Sequence, residues 1–335
     1  MKQKLIFHIG AHRTATSALQ EYLHRNFEPL LEQGYFYPFK VRRHMKQINQ
    51  LFRGDKTPEE MAQNLIARTN KRSHDIHTII LSDEDACMRR DLSVLAQFRE
   101  WFDVKVVFTL RRQDSWLESW FFQNIKWQWN AKLSHCTFDE FMAMRDDFHW
   151  IHYDHYVRHL EELFGQDNII LNIHEKDQMQ GGPIETFCNS IGLSNRESCS
   201  APAHINQSYS PEMSEFMRCL PLGEAPVGYR NMLTRACAVI DQKIQGEGAK
   251  KQSERLMTPD QRATVMAAYE AGNQALAQRY FGRSQLFFDP LPDADAPLAE
   301  MALPQDSYAL MRDLVTPLLQ SVIEDHLKNK TGKKP

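Results

Sequence analysis

Four short runs of β-branched, aliphatic and aromatic residues punctuate the first half of the chain: Leu5 to Ile9, Thr78 to Leu81, Val104 to Leu110 and Ile169 to Ile173. Each is apolar almost without interruption rather than alternating, the pattern of a strand covered on both faces of a parallel sheet. Between and after them, apolar residues recur at spacings of three and four. This predicts helices over about Thr16 to Asn26, Trp116 to Lys126, Asp154 to Phe164 and Ile184 to Ile191. Strands alternating with helices imply an α/β sheet with crossover helices.

The second half reads as helical. Ser210-Pro211-Glu212 and Thr258-Pro259-Asp260-Gln261 each place a capping hydroxyl before a proline at the first helical position. Gly282 is positioned to close the second of these helices. Pro290, Pro292, Pro297 and Pro304, set among small and acidic residues, mark 289–304 as a linker or extended strap. A last helix is predicted around Ser307 to Leu327, followed by a basic tail. The expected division is an α/β domain over 1–288, the Pro-rich segment 289–304, and a C-terminal helix with its tail over 305–335. No internal repeat is visible.

Composition narrows the class of partner. With 42% apolar and 25% charged residues, the 335-residue chain is globular rather than disordered. A formal net charge of −3 gives no electrostatic reason to expect nucleic acid or an anionic membrane, so any anion site must be local. Six cysteines without a C-x-x-C pair read as reduced thiols, not as a disulfide framework or a zinc site. No apolar stretch approaches the roughly 20 residues of a membrane span. The first residues run directly into a strand-like segment instead of a signal peptide. A reducing cytoplasm is the simplest location.

The segment with the most chemistry is Leu5 through Leu19, where a buried strand turns through Gly10-Ala11-His12-Arg13-Thr14-Ala15-Thr16-Ser17 into a helix. Backbone amides and the positive end of the helix dipole converge at such a junction and hold an anion. A nucleoside-triphosphate loop needs G-x-x-x-x-G-K-[S/T]. Here the second glycine is Ala15, the lysine position is Thr16, and the cation comes earlier, at Arg13. This order resembles the 5′-phosphosulfate loop of sulfotransferases, G-x-x-K-T-G-T-T-x-L, matched by Gly10, Thr14, Thr16, Ser17 and Leu19. Arg13 replaces the usual lysine. It keeps the charge and can grip phosphate bidentately, but it cannot give up a proton. Ala15 replaces the usual glycine and fits only if that position does not need a positive φ.

A second segment, Val104 to Ser119, is again a strand ending in arginine and entering a helix. Arg111 and Ser119 match the family's 3′-phosphate pattern, R-x-x-x-x-x-x-x-S, with Arg112 beside them. An arginine fork and a hydroxyl one to two turns onward suit a terminal phosphate. Between the two loops, Thr78 to Asp85 ends a strand in Ser82-Asp83-Glu84-Asp85, at the sheet edge where a ligand binds. In related sulfotransferases the base comes from this position. The S-x-E pattern points to Glu84, with Asp83 and Asp85 as rivals and helix capping as the alternative use of these acids.

The resemblance runs in order over roughly 4–215, including Asp154 to Glu175 and the pattern Asn206, Ser208, Ser210, Glu212. It implies a P-loop-type three-layer α/β/α fold with a parallel sheet and added C-terminal helices. It also implies transfer of a sulfuryl group from 3′-phosphoadenosine 5′-phosphosulfate (PAPS), without a metal, to a small-molecule or glycan hydroxyl. Glu84 would be the base, and Arg13 with the loop amides would stabilise the leaving phosphate. The rival readings are a P-loop-type small-molecule kinase using Mg-ATP and a non-catalytic PAPS or nucleotide-binding homologue. His149, His152, His155 and His159 share a helical spacing but lack a completing ligand pattern for a metal. Trp116, Trp120, Phe121, Trp127 and Trp129 read as core, or as the wall of an acceptor groove. Lys250-Lys251 reads as a basic flap or a solvated loop. Oligomeric state is not legible.

Overall fold

The structure, a computed structural model, describes residues 2–193, 199–200, 208–246, 253 and 255–330. Asn206, Lys250, Lys251 and the end of the basic tail lie outside the described residues. The strands are β1 (Lys4–His8), β2 (Tyr35–Phe36), β3 (Thr78–Ser82), β4 (Asp103–Leu110) and β5 (Ile169–Ile173). The helices used below are α1 (Thr16–Arg25), α2 (Gln113–Trp127), α3 (Tyr153–Phe164), α4 (Gly182–Ser190), α5 (Pro211–Cys219), α6 (Val227–Gln245), α7 (Pro259–Phe281) and α8 (Thr316–Lys330). Contacts group the chain into two compact units. The first is Met1–Gln113, Asp146–Ile205 and Val265–Leu291; the second is Asp114–Arg145, Asn206–Thr264 and Pro292–Pro335.

The first unit holds a parallel sheet in the order β2-β3-β1-β4-β5. The four apolar runs are its four longer strands. The fifth, β2, is two residues long and pairs Tyr35 with Thr78 and Phe36 with Ile79, too short to form a run in the sequence. One sheet face carries Ile6, Ile80 and Val107, which cluster with Leu19 and Leu23 of α1 and Phe187 of α4. On the other face Phe7 meets Phe98 edge-on at 5.5 Å, and Phe108 meets Tyr156 of α3 at 5.0 Å. Helical layers therefore cover both faces, which is why the strands lack alternation. Chain order reverses at β1, with β2 and β3 on one side and β4 and β5 on the other. The carboxyl ends of β1, β3 and β4 thus flank a topological switch point, the usual ligand crevice of an open α/β sheet.

The second unit is helical among its described residues. Phe121 of α2 packs against Phe138 and Phe141 with ring centroids 5.2 and 5.4 Å away. Trp116, Trp120 and Phe121 are core residues, at 0%, 3% and 1% exposure. Ser210 caps α5 by accepting from the Met213 amide, and its hydroxyl donates to Asp241 of α6 at 2.5 Å. Thr258 caps α7 as expected, its hydroxyl accepting from the Gln261 amide at 3.3 Å. The segment 289–304 forms no strand or helix, and the last helical stretch runs through Ser307–Leu310 and Met311–Val315 into α8. No described helix is long and apolar enough to cross a membrane.

Candidate active site

The turn after β1 stays zipped to β4 for three residues. Ile9 donates to the Val107 carbonyl at 3.1 Å, Ala11 donates to Thr109 at 3.2 Å, and Thr109 donates back to Gly10 at 2.7 Å. Gly10 has φ +109, and a Cβ there would lie 3.3 Å from both the Cβ and the carbonyl oxygen of Glu84. Glycine is what lets the loop and the end of β3 meet. The chain then coils, with Arg13 at φ 65 and Ala15 at φ 63, while the Thr14 hydroxyl donates to the Ala11 carbonyl at 2.7 Å.

Ala15 is the N-cap of α1, and its carbonyl accepts from Ala18 and Leu19, each at 3.1 Å. The alanine therefore occupies a left-handed position after all. The condition set for it by the sequence is not met, because the turn needs φ > 0 to bring the first helical amides round. No side chain caps α1 and no acidic residue lies in its first turn. The amides at this helix start have no partner within the helix, so they suit an anion. A cleft lined by His8, Thr14, Thr109, Asn172 and Phe187 lies beside the turn.

Past β3, Asp83, Glu84 and Asp85 share one arginine that the sequence did not single out. Arg43 donates from Nε to Asp83 at 2.7 Å, lies 3.3 Å from Glu84 Oε1, and places Nη2 2.6 Å from Asp85 Oδ1. Glu84, 6% exposed, also accepts at Oε2 from Gln20 of α1 at 2.5 Å. His12 Nε2 joins Asp85 Oδ1 at 2.8 Å and so ties the loop between β1 and α1 to the acidic cluster. Asp83 and Asp85 differ in what this costs them. Burial pushes Asp83 up to about 6 against the pull of Arg43. Asp85 also pays for burial, but its hydrogen bond with His12 and the charge of Arg43 outweigh that and hold it at about 2. Asp85 is therefore a poor proton acceptor, and Arg43 is raised by all three acids in spite of its own desolvation.

At the end of β4, Arg111 reaches back across the crevice. Its Nη1 donates to the Arg13 carbonyl at 2.7 Å, and its backbone is clamped by Tyr153, whose hydroxyl donates to the Arg111 carbonyl at 2.5 Å. His174, just past β5, is lowered to about 4 by burial and then by the charges of Arg111 and Arg13. Two cations and a neutral imidazole thus border the loop. Neighbouring Arg112 instead donates to the Asp289 carbonyl at 2.6 Å, on the strap segment. Ser119 lies on α2 in the second unit and is 9% exposed. Among the described residues no group of three or more His, Cys, Asp or Glu side chains could hold a metal ion.

Arg43 and Gln20 escaped the sequence reading because their roles depend on partners 40 and 64 positions away. Neither sits in a motif, and only a glutamine on the otherwise apolar side of α1 hints at a buried polar contact.

The family profile described as "Sulfotransferase domain" matches residues 5–178, more than half of the chain. This protein belongs to the sulfotransferase family. Comparison with curated proteins gives no match. Among solved structures, the crystal structure of a sulfotransferase from Alicyclobacillus acidocaldarius is similar at 15% identity and a TM-score of 0.40, covering 69% of this chain and 100% of that one.

Proposed function

We propose that this sulfotransferase is a cytoplasmic enzyme that takes its sulfuryl group from PAPS and delivers it to a hydroxyl of a saccharide or glycolipid. The observation that carries the reading is the link from Arg111 to the backbone of the Arg13 loop, which supports taking the two loops as the two ends of one anion site. The residues present fit such a donor: an uncapped helix start, a left-handed Ala15 that aims its amides, and two arginines. Gly10 to Ser17 would hold the 5′ side, and Arg111, with Ser119 by the sequence pattern, the 3′-phosphate. PAPS, when bound, supplies the sulfuryl group and a phosphate leaving group.

The chain's own residues do the rest. Glu84, fixed by Gln20 and Arg43, accepts the proton of the attacking hydroxyl as its oxygen bonds to sulfur. Arg13 and the amides of Thr16 and Ser17 receive the charge left on the phosphate oxygen when the sulfur–oxygen bond breaks. Arginine serves as well as lysine for holding that charge, since no proton need leave it. The six free cysteines suit a reducing compartment.

Calorimetry with 3′-phosphoadenosine 5′-phosphate, without magnesium, tests the donor. Selective binding over ATP is expected, and Arg111→Ala should weaken it by about tenfold or more, the worth of a charge-assisted contact. Glu84→Gln should bind the nucleotide as the parent does yet lose roughly 10²–10⁴-fold in turnover. Equal preference for ATP, or no binding at all, would overturn the donor assignment.

A further inference from the structure

Asp83, Glu84 and Asp85 converge on one guanidinium, and its fork serves them unequally. Nε and Nη2 of Arg43 both lie 2.7 Å from Asp83 Oδ1, and Nη2 is also 2.6 Å from Asp85 Oδ1. Glu84 has the looser contact, with Oε1 3.3 Å from Nη1. The pull of Arg43 on Glu84 is therefore whatever charge the two aspartates leave uncompensated. Asp85 is a constant competitor. Burial works against its charge, but the hydrogen bond with His12 and the charge of Arg43 hold it at about 2, ionised at any working pH.

Asp83 is the competitor that can change. It is buried, and its Oδ2 accepts no hydrogen bond among the described residues, so a proton can sit there without breaking a contact. Burial pushes its carboxyl up to about 6, with Asp85 and Glu84 adding to the rise against the pull of Arg43. The other titratable groups around it are neutral near that pH. Tyr37, from the stretch after β2, and Cys87, from the turn after β3, are both raised by burial. His8 and His44, each bonded to Ser82, are lowered by burial to about 4. Arg43, Glu84 and Asp85 are thus the charges that Asp83 meets.

We propose that Asp83 is a positioning residue for Glu84, competing with it for Arg43 and so setting how readily Glu84 takes up a proton. With Asp83 ionised, the guanidinium charge is shared among three anions and Glu84 is the stronger base. With Asp83 neutral, a larger share of that charge falls on Glu84, which holds its own negative charge more firmly and accepts a proton less readily. The acceptor hydroxyl still gives its proton to Glu84 and none passes to Asp83. The catalytic side of this role rests on Glu84 being the base of the proposed transfer; the coupling between the two carboxyls does not.

Coupling between two sites is reciprocal, so it can be read at Asp83 without any nucleotide. Carbon-13 NMR of the full-length protein, labelled at its aspartate carboxyls, follows Asp83 through pH, and Asp83→Asn identifies the signal by removing it. The Asp83 midpoint is expected to fall by about one pH unit in Glu84→Gln, the scale of a like charge removed. The kinetic readout is release of sulfate from PAPS to water, which needs no sugar. The parent's kcat should rise through a step near pH 6. Asp83→Asn should lose that step, match the parent at pH 5 and fall about three- to tenfold below it at pH 8, with affinity for 3′-phosphoadenosine 5′-phosphate unchanged. Asp85→Asn should keep the step. An Asp83 midpoint that stays put in Glu84→Gln would overturn the proposal, as would an Asp83→Asn profile that keeps the step or drops equally at every pH. A loss of about 10²-fold in Asp83→Asn, with turnover retained by Glu84→Gln, would overturn it too, because Asp83 would then be the base itself. A parent that binds no 3′-phosphoadenosine 5′-phosphate would sink the donor assignment instead, and the NMR midpoint alone would then decide whether the two acids compete for Arg43.

Discussion

At the scale of single residues, the loop between β1 and α1 is a compromise made by Ala15. A left-handed conformation costs an L-residue with a Cβ about 1–2 kcal/mol, and glycine escapes that cost while adding some entropy to the unfolded chain. Ala15→Gly is therefore expected to raise stability by about 0.5–1 kcal/mol, read as a higher urea midpoint with an unchanged slope. A midpoint that stays put or falls would mean that the loop relaxes around the alanine. The letters of this loop were legible in the sequence, from Gly10 to Ser17, and so was the acid-bearing end of β3. What could not be read was how the acids differ. Arg43 comes from an irregular stretch between β2 and β3, and the difference between Asp83 and Asp85 follows from burial, its position and that of His12.

At the scale of elements, strands were readable because burial on both faces leaves an apolar run, whereas β2 is too short to leave one. Capping chemistry announced α5 and α7, but α6 follows Pro226, which offers no side-chain cap, and went unannounced. Long-range clamps leave no local trace either. Arg262, on the first turn of α7, donates to Asp114 at 2.5 Å and to Glu118 at 2.8 Å across 148 and 144 residues of chain. Glu118 also accepts from the amides of Leu256 and Met257 at 2.7 and 2.9 Å. The clamp thus ties α2, where Ser119 is the next residue, to the approach to α7. Removing one partner strands buried charge, so Arg262→Met is expected to cost about 3–5 kcal/mol. Replacing Asp114 and Glu118 by Asn and Gln in the same chain should recover part of that loss. Thermal melts of the single and triple variants check this, and a single variant as stable as the parent would show that the pair is not desolvated.

At the scale of the whole molecule, the buried imidazoles set how stability responds to acid. His8 is lowered to about 4 by burial, with Glu84 only partly opposing. His44 is likewise lowered to about 4 by burial, against its hydrogen bond with the Pro38 carbonyl, and His174 behaves in the same way beside two arginines. Each imidazole takes up a proton near 6.5 in the unfolded chain but not in the native one. Their contribution is complete above about 6.5 and is lost as pH falls toward 4. Asp83 runs the other way, because its native carboxyl protonates near 6 and favours the folded state between about 6 and 4. Asp85, held at about 2, adds stability that is lost only below the normal carboxylate range. Among the groups shifted furthest, three imidazoles against Asp83 leave a net excess of protons on the unfolded chain; His149 adds to it, and Glu212, Asp241 and Asp289, raised by burial, subtract from it. At ~1.4 kcal/mol per proton per pH unit, urea-derived stability should fall by on the order of 4 kcal/mol between pH 7 and 5. His44→Gln should flatten that slope by about one proton. A profile that is flat over this range would mean that the imidazoles are reached by water and are not held neutral by the packing around the sheet edge.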